Sequence, residues 1–251
     1  MERTLKVSGP ISSAQAEYDT LRFVSDESAC PYLGGRQARH EAYLVEELEP
    51  AAYERLLARG FRRSGRVVYR PRCRTCHECR QLRVPVEEFR PSASMRRVVR
   101  RNADVCVEAG RPEPSEEKFA LYRCYLDAQH DGTMSRSRES FEDFLYDSPT
   151  ESYEFRYRIG ERVIGISIAD RVPGGLSSVY MYFDPDYAAR SLGTFSIIRE
   201  IEFCRREGLR HYYLGYFVAG SRTMAYKARF CPNEILIGDD RWLSFRDRGE
   251  A

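Results

Sequence analysis

The sequence lacks any stretch that approaches the ~18 consecutive apolar residues of a membrane-spanning helix. Its first residues include no apolar signal segment, and we find no internal repeat and no low-complexity tract. We therefore expect no membrane association and no export. The eight cysteines of such a chain predict reduced thiols and a cytoplasmic location rather than a disulfide framework.

Lysine is also scarce, with 3 residues against 37 arginines, and acidic residues are nearly missing from one window. Residues 55–101 contain 15 arginines, no lysine and three acids, a net charge of +12 in a chain whose total is +2. This segregation indicates a polyanionic partner such as nucleic-acid phosphate, because arginine makes bidentate contacts with phosphate. The alternative is a solvated surface in a protein that prefers arginine, but that preference does not account for the missing acids.

Three cysteines at a spacing of three, Cys73, Cys76 and Cys79, lie in one short loop with His77 between the last two. A C-x2-C step lets one turn of chain place two thiolates at about 2.3 Å from a metal ion. The outside candidate for a further ligand is Cys30, because the proline and glycines that follow it indicate a tight turn. Zinc and an iron–sulfur cluster both suit such ligands, and the alternative is a set of reduced thiols that binds no metal.

Residues 91–102 predict a helix capped by Ser92, with its apolar residues on one face. The helix presents four arginines, Arg96, Arg97, Arg100 and Arg101. Arginines four positions apart repel one another unless an anion lies between them, so this helix is the first candidate for a phosphate-binding surface. A solvated helix flank is the alternative.

The pattern of helices and strands predicts the α+β class with two domains. Residues 1–105 form a small, arginine-rich α/β domain that carries the cysteine loop, and residues 106–251 form a larger domain with a mixed, mostly antiparallel sheet. Strands predicted at 66–70 and 82–87 make a hairpin-like platform for the cysteines, and Pro85 indicates an edge strand. A helix is predicted for residues 222–229.

The order of elements after residue 112 resembles that of the acetyltransferase-like superfamily: two helices, a hairpin, a strand, a glycine-opened helix, a strand, a helix and a strand. In that superfamily an Arg/Gln-x-x-Gly-x-Gly/Ala turn holds the pyrophosphate of the donor through backbone N–H groups. Here Arg190-x-x-Gly193-x-Phe195 keeps the first half of the turn and has a bulky residue at the last position. We therefore expect an acyl donor other than coenzyme A.

Several longer motifs resemble the aminoacyl-tRNA–protein transferases along nearly the whole chain. They are Cys30-Pro-Tyr-Leu-Gly-Gly-Arg36, Gly60-Phe-Arg-Arg-Ser-Gly-Arg-Val-Val-Tyr-Arg-Pro71, Phe89-Arg-Pro-Ser92, Tyr182-Phe-Asp-Pro185, Ser191-Leu-Gly-Thr194 and Met224-Ala-Tyr-Lys-Ala-Arg-Phe230. The length and the three-cysteine loop resemble the compact bacterial branch, the aspartate/glutamate leucyltransferases, more than the eukaryotic arginyltransferases. Leu33 stands where the second cysteine of the first eukaryotic metal-site pair would be.

The resemblance implies transfer of leucine from charged tRNA to the N-terminal amine of proteins that begin with Asp or Glu, which marks them for degradation. Arginine is the alternative cargo. The implied partners are charged tRNA and such proteins, with the enzyme acting as a monomer. The transfer chemistry requires no cofactor, because the aminoacyl ester is already activated, so zinc or an iron–sulfur cluster would be structural or regulatory.

The catalytic candidates are Tyr226, Lys227 and Asp184. Lys227 is one of only three lysines, and we assign it to tRNA phosphate or to the substrate carboxylate. Asp184 is placed to accept the amine proton, although an aspartate before proline also caps a turn.

The substrate-binding candidates are cations, aromatic rings and the glycine turn. The cationic and neighbouring residues are Arg66, Tyr69, Arg70, Arg83, Arg222 and Arg229, for each of which a surface salt bridge is the alternative. Tyr180, Tyr182 and Tyr216 are candidates for stacking on the terminal adenosine of tRNA, with core packing as the alternative. Gly193 and Thr194 open the donor-binding helix.

Two other functions remain open at the level of sequence. One is an acetyltransferase that uses coenzyme A, and the other is a non-catalytic, metal-stabilised RNA-binding module. The choice of leucine over arginine follows from the family branch alone.

Overall fold

The structure is a computed structural model that describes residues 20–129 and 134–245. Its strands are β1 (Thr20–Val24), β2 (Ser28–Ala29), β3 (Gln37–Ala38), β4 (His40–Val45), β5 (Arg62–Ser64), β6 (Val67–Pro71), β7 (Arg80–Pro85), β8 (Cys106–Gly110), β9 (Ser152–Ile159), β10 (Arg162–Val172), β11 (Gly175–Phe183), β12 (His211–Phe217), β13 (Asn233–Ile237) and β14 (Arg241–Phe245). Its α-helices are α1 (Pro50–Ala58), α2 (Ala93–Arg101), α3 (Glu116–Gln129), α4 (Arg138–Leu145) and α5 (Leu192–Arg206), and two 3-10 helices span Pro185–Arg190 and Ala225–Arg229.

An eight-stranded sheet in the order β14-β13-β7-β12-β11-β10-β9-β8 forms the centre of the fold. All of its described pairs are antiparallel except β11 with β12, which are joined through α5 as a parallel β-α-β unit. A smaller sheet has the order β1-β4-β6-β5. The predicted α+β class with a mixed, mostly antiparallel sheet is confirmed.

Strand β7 joins the two parts of the chain. It lies between β13 and β12 in the large sheet, whereas β6 pairs with β4 and β5 in the small sheet. The predicted hairpin of these two strands is therefore wrong, and so is the edge position inferred from Pro85, which lies opposite His211 at the end of an interior strand. Because the large sheet takes strands from both sides of residue 105, the division into 1–105 and 106–251 stays a prediction about folding units.

Helix α5 packs its apolar face against β11 and β12. Ile198, Ile201 and Cys204 on this face are fully buried, as their spacing along the helix predicts. A second cluster, under α3 and α4, contains the fully buried Phe141, Leu145 and Ile166. A third lies under α1, which begins with a proline in its first turn. No helix of the described residues is long and apolar enough to cross a membrane.

The predicted helix at 222–229 is only the short 3-10 helix Ala225–Arg229. The Asn233 side chain ends this helix by donating hydrogen bonds from Nδ2 to the carbonyl oxygens of Ala228, at 3.1 Å, and Phe230, at 3.0 Å. These bonds turn the chain into β13. Edge strand β14, which follows β13, was not predicted.

Candidate active site

The parallel strands β11 and β12 pair over three residues only, Gly175–Ser177 with His211–Tyr213. Beyond this point β11 pairs only with β10, and β12 pairs with β7. A register shift in β12 between Tyr213 and Gly215 accompanies the divergence, and Gly215 has a φ of +88° that favours glycine. The two strands therefore open a split in the centre of the sheet.

The side chain of Arg62 lies in this split. It extends from β5 of the small sheet and donates a hydrogen bond from Nη2 to the carbonyl oxygen of Ser178 on β11. On the other side it lies against β12, where a Cβ added to Gly215 would be 1.3 Å from Arg62 Nη1. Glycine at position 215 is thus what leaves room for the guanidinium.

Lys227 enters the same region from the 3-10 helix Ala225–Arg229. It is only 7% exposed, and its Nζ donates a hydrogen bond to the carbonyl oxygen of Tyr216 at 3.0 Å. Burial, with the charge of Arg62 nearby, lowers the pKa of Lys227 well below its usual value. Among the described residues, no carboxylate forms an ion pair with Lys227 or Arg62.

Two tyrosines lie near Arg62. Tyr216 donates from its hydroxyl to the carbonyl oxygen of Gly60 at 2.9 Å, and the guanidinium carbon of Arg62 lies 5.9 Å from the centre of its ring. Burial raises the pKa of Tyr226 to about 12, so this phenol stays neutral at physiological pH. The charge of Arg62 also acts on the Tyr226 phenol, and Lys227 is the next residue, so the predicted catalytic pair lies near the split.

A cavity of about 650 Å³ is lined in part by Tyr216. Its wall includes Tyr32, His40 and Arg70, and it extends to the cysteine loop. The amide of Gln81 also lines it and is 1% exposed, with neither its nitrogen nor its oxygen hydrogen-bonded within the described part of the chain. Sequence reasoning did not select Gln81.

The four candidate metal ligands, Cys30, Cys73, Cys76 and Cys79, all line this cavity. Cys76 Sγ accepts a hydrogen bond from Arg36 Nη1 at 3.1 Å, and burial raises the pKa of Cys79 to about 12, which favours the thiol form. Within residues 20–129 and 134–245, no three His, Cys, Asp or Glu side chains are grouped so as to hold a metal ion. The cysteines are neighbours without forming a ligand set in this conformation, and metal binding stays a prediction.

Most of the predicted substrate-binding arginines have acidic partners away from the split. Arg66 Nε contacts Asp147 Oδ2 at 2.6 Å, and Arg83 Nε contacts Glu234 Oε2 at 2.6 Å. Arg70, in the cavity wall, is held by Glu41 at 2.8 Å and by Asp239 at 3.1 Å. Arg222 and Arg229 are exposed near Lys227 in sequence, and Tyr69 lies against the ring of Tyr216 at 6.3 Å.

Of the three tyrosines predicted to stack on adenosine, only Tyr216 lines the cavity, and it is 2% exposed, so stacking of a base on its ring stays a prediction. Tyr182 is fully buried, and its hydroxyl lies 3.2 Å from that of Tyr146, so packing prevents it from stacking on a base in this conformation. Tyr180 packs against Phe144 under α4. Asp184 caps the following 3-10 helix by accepting from the Asp186 backbone N–H at 3.0 Å and also contacts Arg162 at 2.6 Å.

Gly193 and Thr194 lie in the first turn of α5, next to Ser191 in the left-handed conformation. A Cβ added to Gly193 would meet nothing within 4 Å. Phe195 is fully buried and contacts the Tyr157 ring, so its bulk lies in the core rather than in the turn. The expectation that the chain uses an acyl donor other than coenzyme A therefore does not follow from steric blocking of the turn by the Phe195 ring, and exclusion of coenzyme A stays a prediction.

Two family models match the chain: "Arginine-tRNA-protein transferase, N terminus" over residues 28–97 and "Arginine-tRNA-protein transferase, C terminus" over residues 117–237. An aspartate/glutamate leucyltransferase of Bradyrhizobium diazoefficiens is 38% identical, over 94% of this chain and 97% of its own length. The chain belongs to this family of aminoacyl-tRNA–protein transferases. Another aspartate/glutamate leucyltransferase, from Stenotrophomonas maltophilia, is 41% identical over 90% of this chain and 94% of its own length. The predicted resemblance is confirmed, and the protein is an aminoacyltransferase.

Among solved structures, FemX is similar with a TM-score of 0.43 and 11% identity, over 71% of this chain and 63% of that chain.

In this aminoacyl-tRNA–protein transferase, α2 presents a basic surface to solvent. Ser92 caps the helix by accepting from the Met95 backbone N–H at 3.3 Å, as predicted. The four arginines of the helix are all exposed, namely Arg96, Arg97, Arg100 and Arg101. Arg101 donates to the carbonyl oxygen of Ala189, so the end of α2 lies beside the turn that opens α5. Phosphate binding by these arginines stays a prediction.

Arg62 is the residue at the split that sequence reasoning missed. It lies within a motif shared with the transferases, but Arg62 and Arg63 are adjacent in a strand and point to opposite faces. No local signal distinguishes the arginine that forms a buried ion pair from the one that enters the split. Only the position of β5 next to β11 and β12 in the folded protein shows that Arg62 is the arginine in the split.

Proposed function

We propose that this protein transfers leucine from leucyl-tRNA to the N-terminal α-amine of proteins that begin with Asp or Glu, and thereby marks them for degradation. The observation that carries the proposal is the split between β11 and β12, where Arg62 and Lys227 lie without an acidic partner among the described residues. An acyl-transfer site at this position suits an acidic acceptor. The names of the relatives support the choice of leucine over arginine.

In the reaction, the nitrogen of the acceptor amine attacks the carbonyl carbon of the aminoacyl ester. The new C–N bond forms, the C–O bond to the terminal ribose breaks, and the proton lost by nitrogen ends on the ribose oxygen. A peptide α-amine has a pKa of roughly 7.7–8.0 and is partly neutral at cellular pH, so the reaction needs no strong base. Alignment of amine and ester can contribute up to roughly 7–11 kcal/mol, and backbone N–H groups would stabilise the tetrahedral oxyanion.

Tyr226 and Lys227 are the better placed of the catalytic candidates. Both lie near Arg62, and the neutral Tyr226 phenol can pass a proton from the amine towards the ribose oxygen. The Asp184 carboxylate already accepts from Arg162 and from a backbone N–H, which leaves it less suited to take a proton. We therefore rank Asp184 below Tyr226.

The tRNA would lie across the arginines of α2, with its aminoacyl end at the split. Arg97 and Arg100 on this helix form no ion pair with any described residue. The cavity that Tyr216 lines is the site that we propose for the terminal adenosine. We propose that the enzyme acts in the cytoplasm, where charged tRNA is found, and as a monomer, which sedimentation would test.

The decisive experiment supplies leucyl-tRNA and arginyl-tRNA separately, each with a radiolabelled amino acid, to peptides that begin with Asp, Glu, Lys or Arg. We expect label from leucyl-tRNA on the Asp and Glu peptides and none on the Lys and Arg peptides. Transfer from arginyl-tRNA alone would replace leucine by arginine. Binding of charged tRNA without transfer would favour an RNA-binding module, and acetylation by acetyl-coenzyme A would favour an ordinary acetyltransferase.

A further inference from the structure

The split contains two basic side chains, Arg62 and Lys227, that have no acidic partner among the described residues. Arg62 donates to a carbonyl oxygen of β11, and Lys227 donates to a carbonyl oxygen of β12. No described carboxylate is within ion-pair distance of these two cations. Burial and the nearby charge of Arg62 disfavour the cationic form of Lys227, and an anion bound between the two side chains would favour it again.

We propose that Arg62 and Lys227 form the subsite for the side-chain carboxylate of the first residue of the acceptor protein. This inference rests on the proposed function, because it names the part of the site that selects Asp and Glu. Arg62 and Lys227 would bind the two oxygens of the carboxylate, and Tyr226 would lie beside the α-amine.

The remaining donors match a carboxylate. A guanidinium has five N–H donors, and Arg62 uses one for Ser178. An ammonium has three, and Lys227 uses one for Tyr216. The remaining N–H donors can bind the side chain of an Asp or Glu ligand, because a carboxylate has two oxygens that only accept hydrogen bonds. An Asn or Gln side chain would present its own NH2 donors to them, so the amide should be rejected.

Burial favours a carboxylate over the backbone phosphate of tRNA. Lys227 is 7% exposed, and Gly215 borders the site with no side chain. A phosphodiester of tRNA carries a nucleoside on each side, so it binds more easily at an open surface than at a buried site. The exposed arginines of α2 offer such a surface.

The first test measures binding of a fluorescent peptide that begins with Asp, and of the matched peptide that begins with Asn, by fluorescence polarisation. We expect the wild type to prefer the Asp peptide at least tenfold. Arg62→Gln and Lys227→Met should each reduce that preference to less than threefold. The control variant is Arg210→Gln, which removes an arginine with a 74% exposed side chain and should leave the preference unchanged.

The second test measures steady-state transfer by the same variants. We expect the KM for the Asp peptide to rise at least tenfold in Arg62→Gln, while the KM for leucyl-tRNA changes less than twofold. A larger effect on the KM for leucyl-tRNA than on that for the peptide would overturn the proposal, because it would assign the two cations to tRNA phosphate. Arg62→Lys should recover part of the lost peptide affinity, which a purely steric role of Arg62 would not predict.

A third measurement avoids substitution and so does not depend on the folding of a variant. An Asp peptide whose N-terminus is acetylated keeps the carboxylate but has no amine to react. It should inhibit wild-type transfer competitively with the acceptor, whereas the acetylated Asn peptide should not, and equal inhibition by both would overturn the proposal. Selective binding of the Asp peptide without any leucine transfer would contradict the proposed function and leave the subsite supported.

Discussion

Arg63 and Asp170 form a bidentate ion pair in the interior of the protein. Arg63 Nε donates to Asp170 Oδ2 at 2.8 Å and Nη2 donates to Oδ1 at 2.6 Å, and neither side chain is exposed to solvent. The pair joins β5 of the small sheet to β10 of the large sheet. It therefore also holds the neighbouring Arg62 where its side chain can enter the split.

The first prediction concerns the stability of this pair. Arg63→Met leaves the Asp170 carboxylate buried without its partner, so we expect the free energy of unfolding to fall by about 3–5 kcal/mol. Urea unfolding followed by circular dichroism measures the change. As a control, Arg66→Gln removes the half-exposed pair with Asp147 and should cost less than about 1 kcal/mol. Similar losses in the two variants would contradict the importance of the buried pair.

The second prediction concerns Glu200 on α5, which is fully buried and accepts hydrogen bonds from Ser167 and Tyr212, each at 2.6 Å. Burial raises the pKa of Glu200 from 4.5 to about 7. Between pH 4.5 and 7 the Glu200 carboxyl is ionised in the unfolded chain but still protonated in the folded protein. The free energy of unfolding therefore falls as the pH rises through this range. The expected decrease in the free energy of unfolding over this pH range is about 3 kcal/mol.

Comparison with Glu200→Gln isolates this contribution, because glutamine does not ionise. The free energy of unfolding of the wild type, relative to that of the variant, should decrease by about 3 kcal/mol between pH 4.5 and 7. Chemical denaturation at several pH values measures it. A difference that stays constant across this range would show that the carboxyl titrates normally in the folded state.

The third prediction concerns the arginines of α2. Replacing Arg97 and Arg100 together by glutamine should weaken binding of charged tRNA, because two phosphate contacts are lost. The slope of log affinity against log salt concentration should become shallower by about 1 to 2. Filter binding over a range of salt concentrations measures it. An unchanged slope, equal to that of the Arg210→Gln control, would assign these arginines to the solvated surface.

The fourth prediction concerns Gly215. In Gly215→Ala the new Cβ would lie 1.3 Å from Arg62 Nη1. The two atoms cannot both occupy this space, so the Arg62 side chain must leave the split. We expect the KM for the Asp peptide to rise about tenfold, a loss of about 1.4 kcal/mol. Adding Arg62→Gln to this variant should have little further effect, because both changes remove the same contact. If the double variant raised the KM by the product of the two single effects, Gly215 would act independently of Arg62.

Much of the local structure could be predicted from the sequence. Ser92 before a run of alternating apolar and basic residues predicts α2 and its cap, and the spacing of Ile198, Ile201 and Cys204 predicts the buried face of α5. These predictions succeed because a helix cap and a helix face depend on residues only three or four positions apart.

The sequence by itself determined the family, through motifs spread along the chain, and the concentration of arginine in residues 55–101. Only the tertiary structure decided which cations meet. It inserts β7 into the large sheet, pairs Arg63 with Asp170, and brings Arg62 to Gly215 and Lys227, which lie more than 150 positions away in sequence. Such contacts depend on strand pairing and on which face each side chain occupies, and a shift of one residue in register would exchange Arg62 and Arg63. No pattern within β5 alone contains that information.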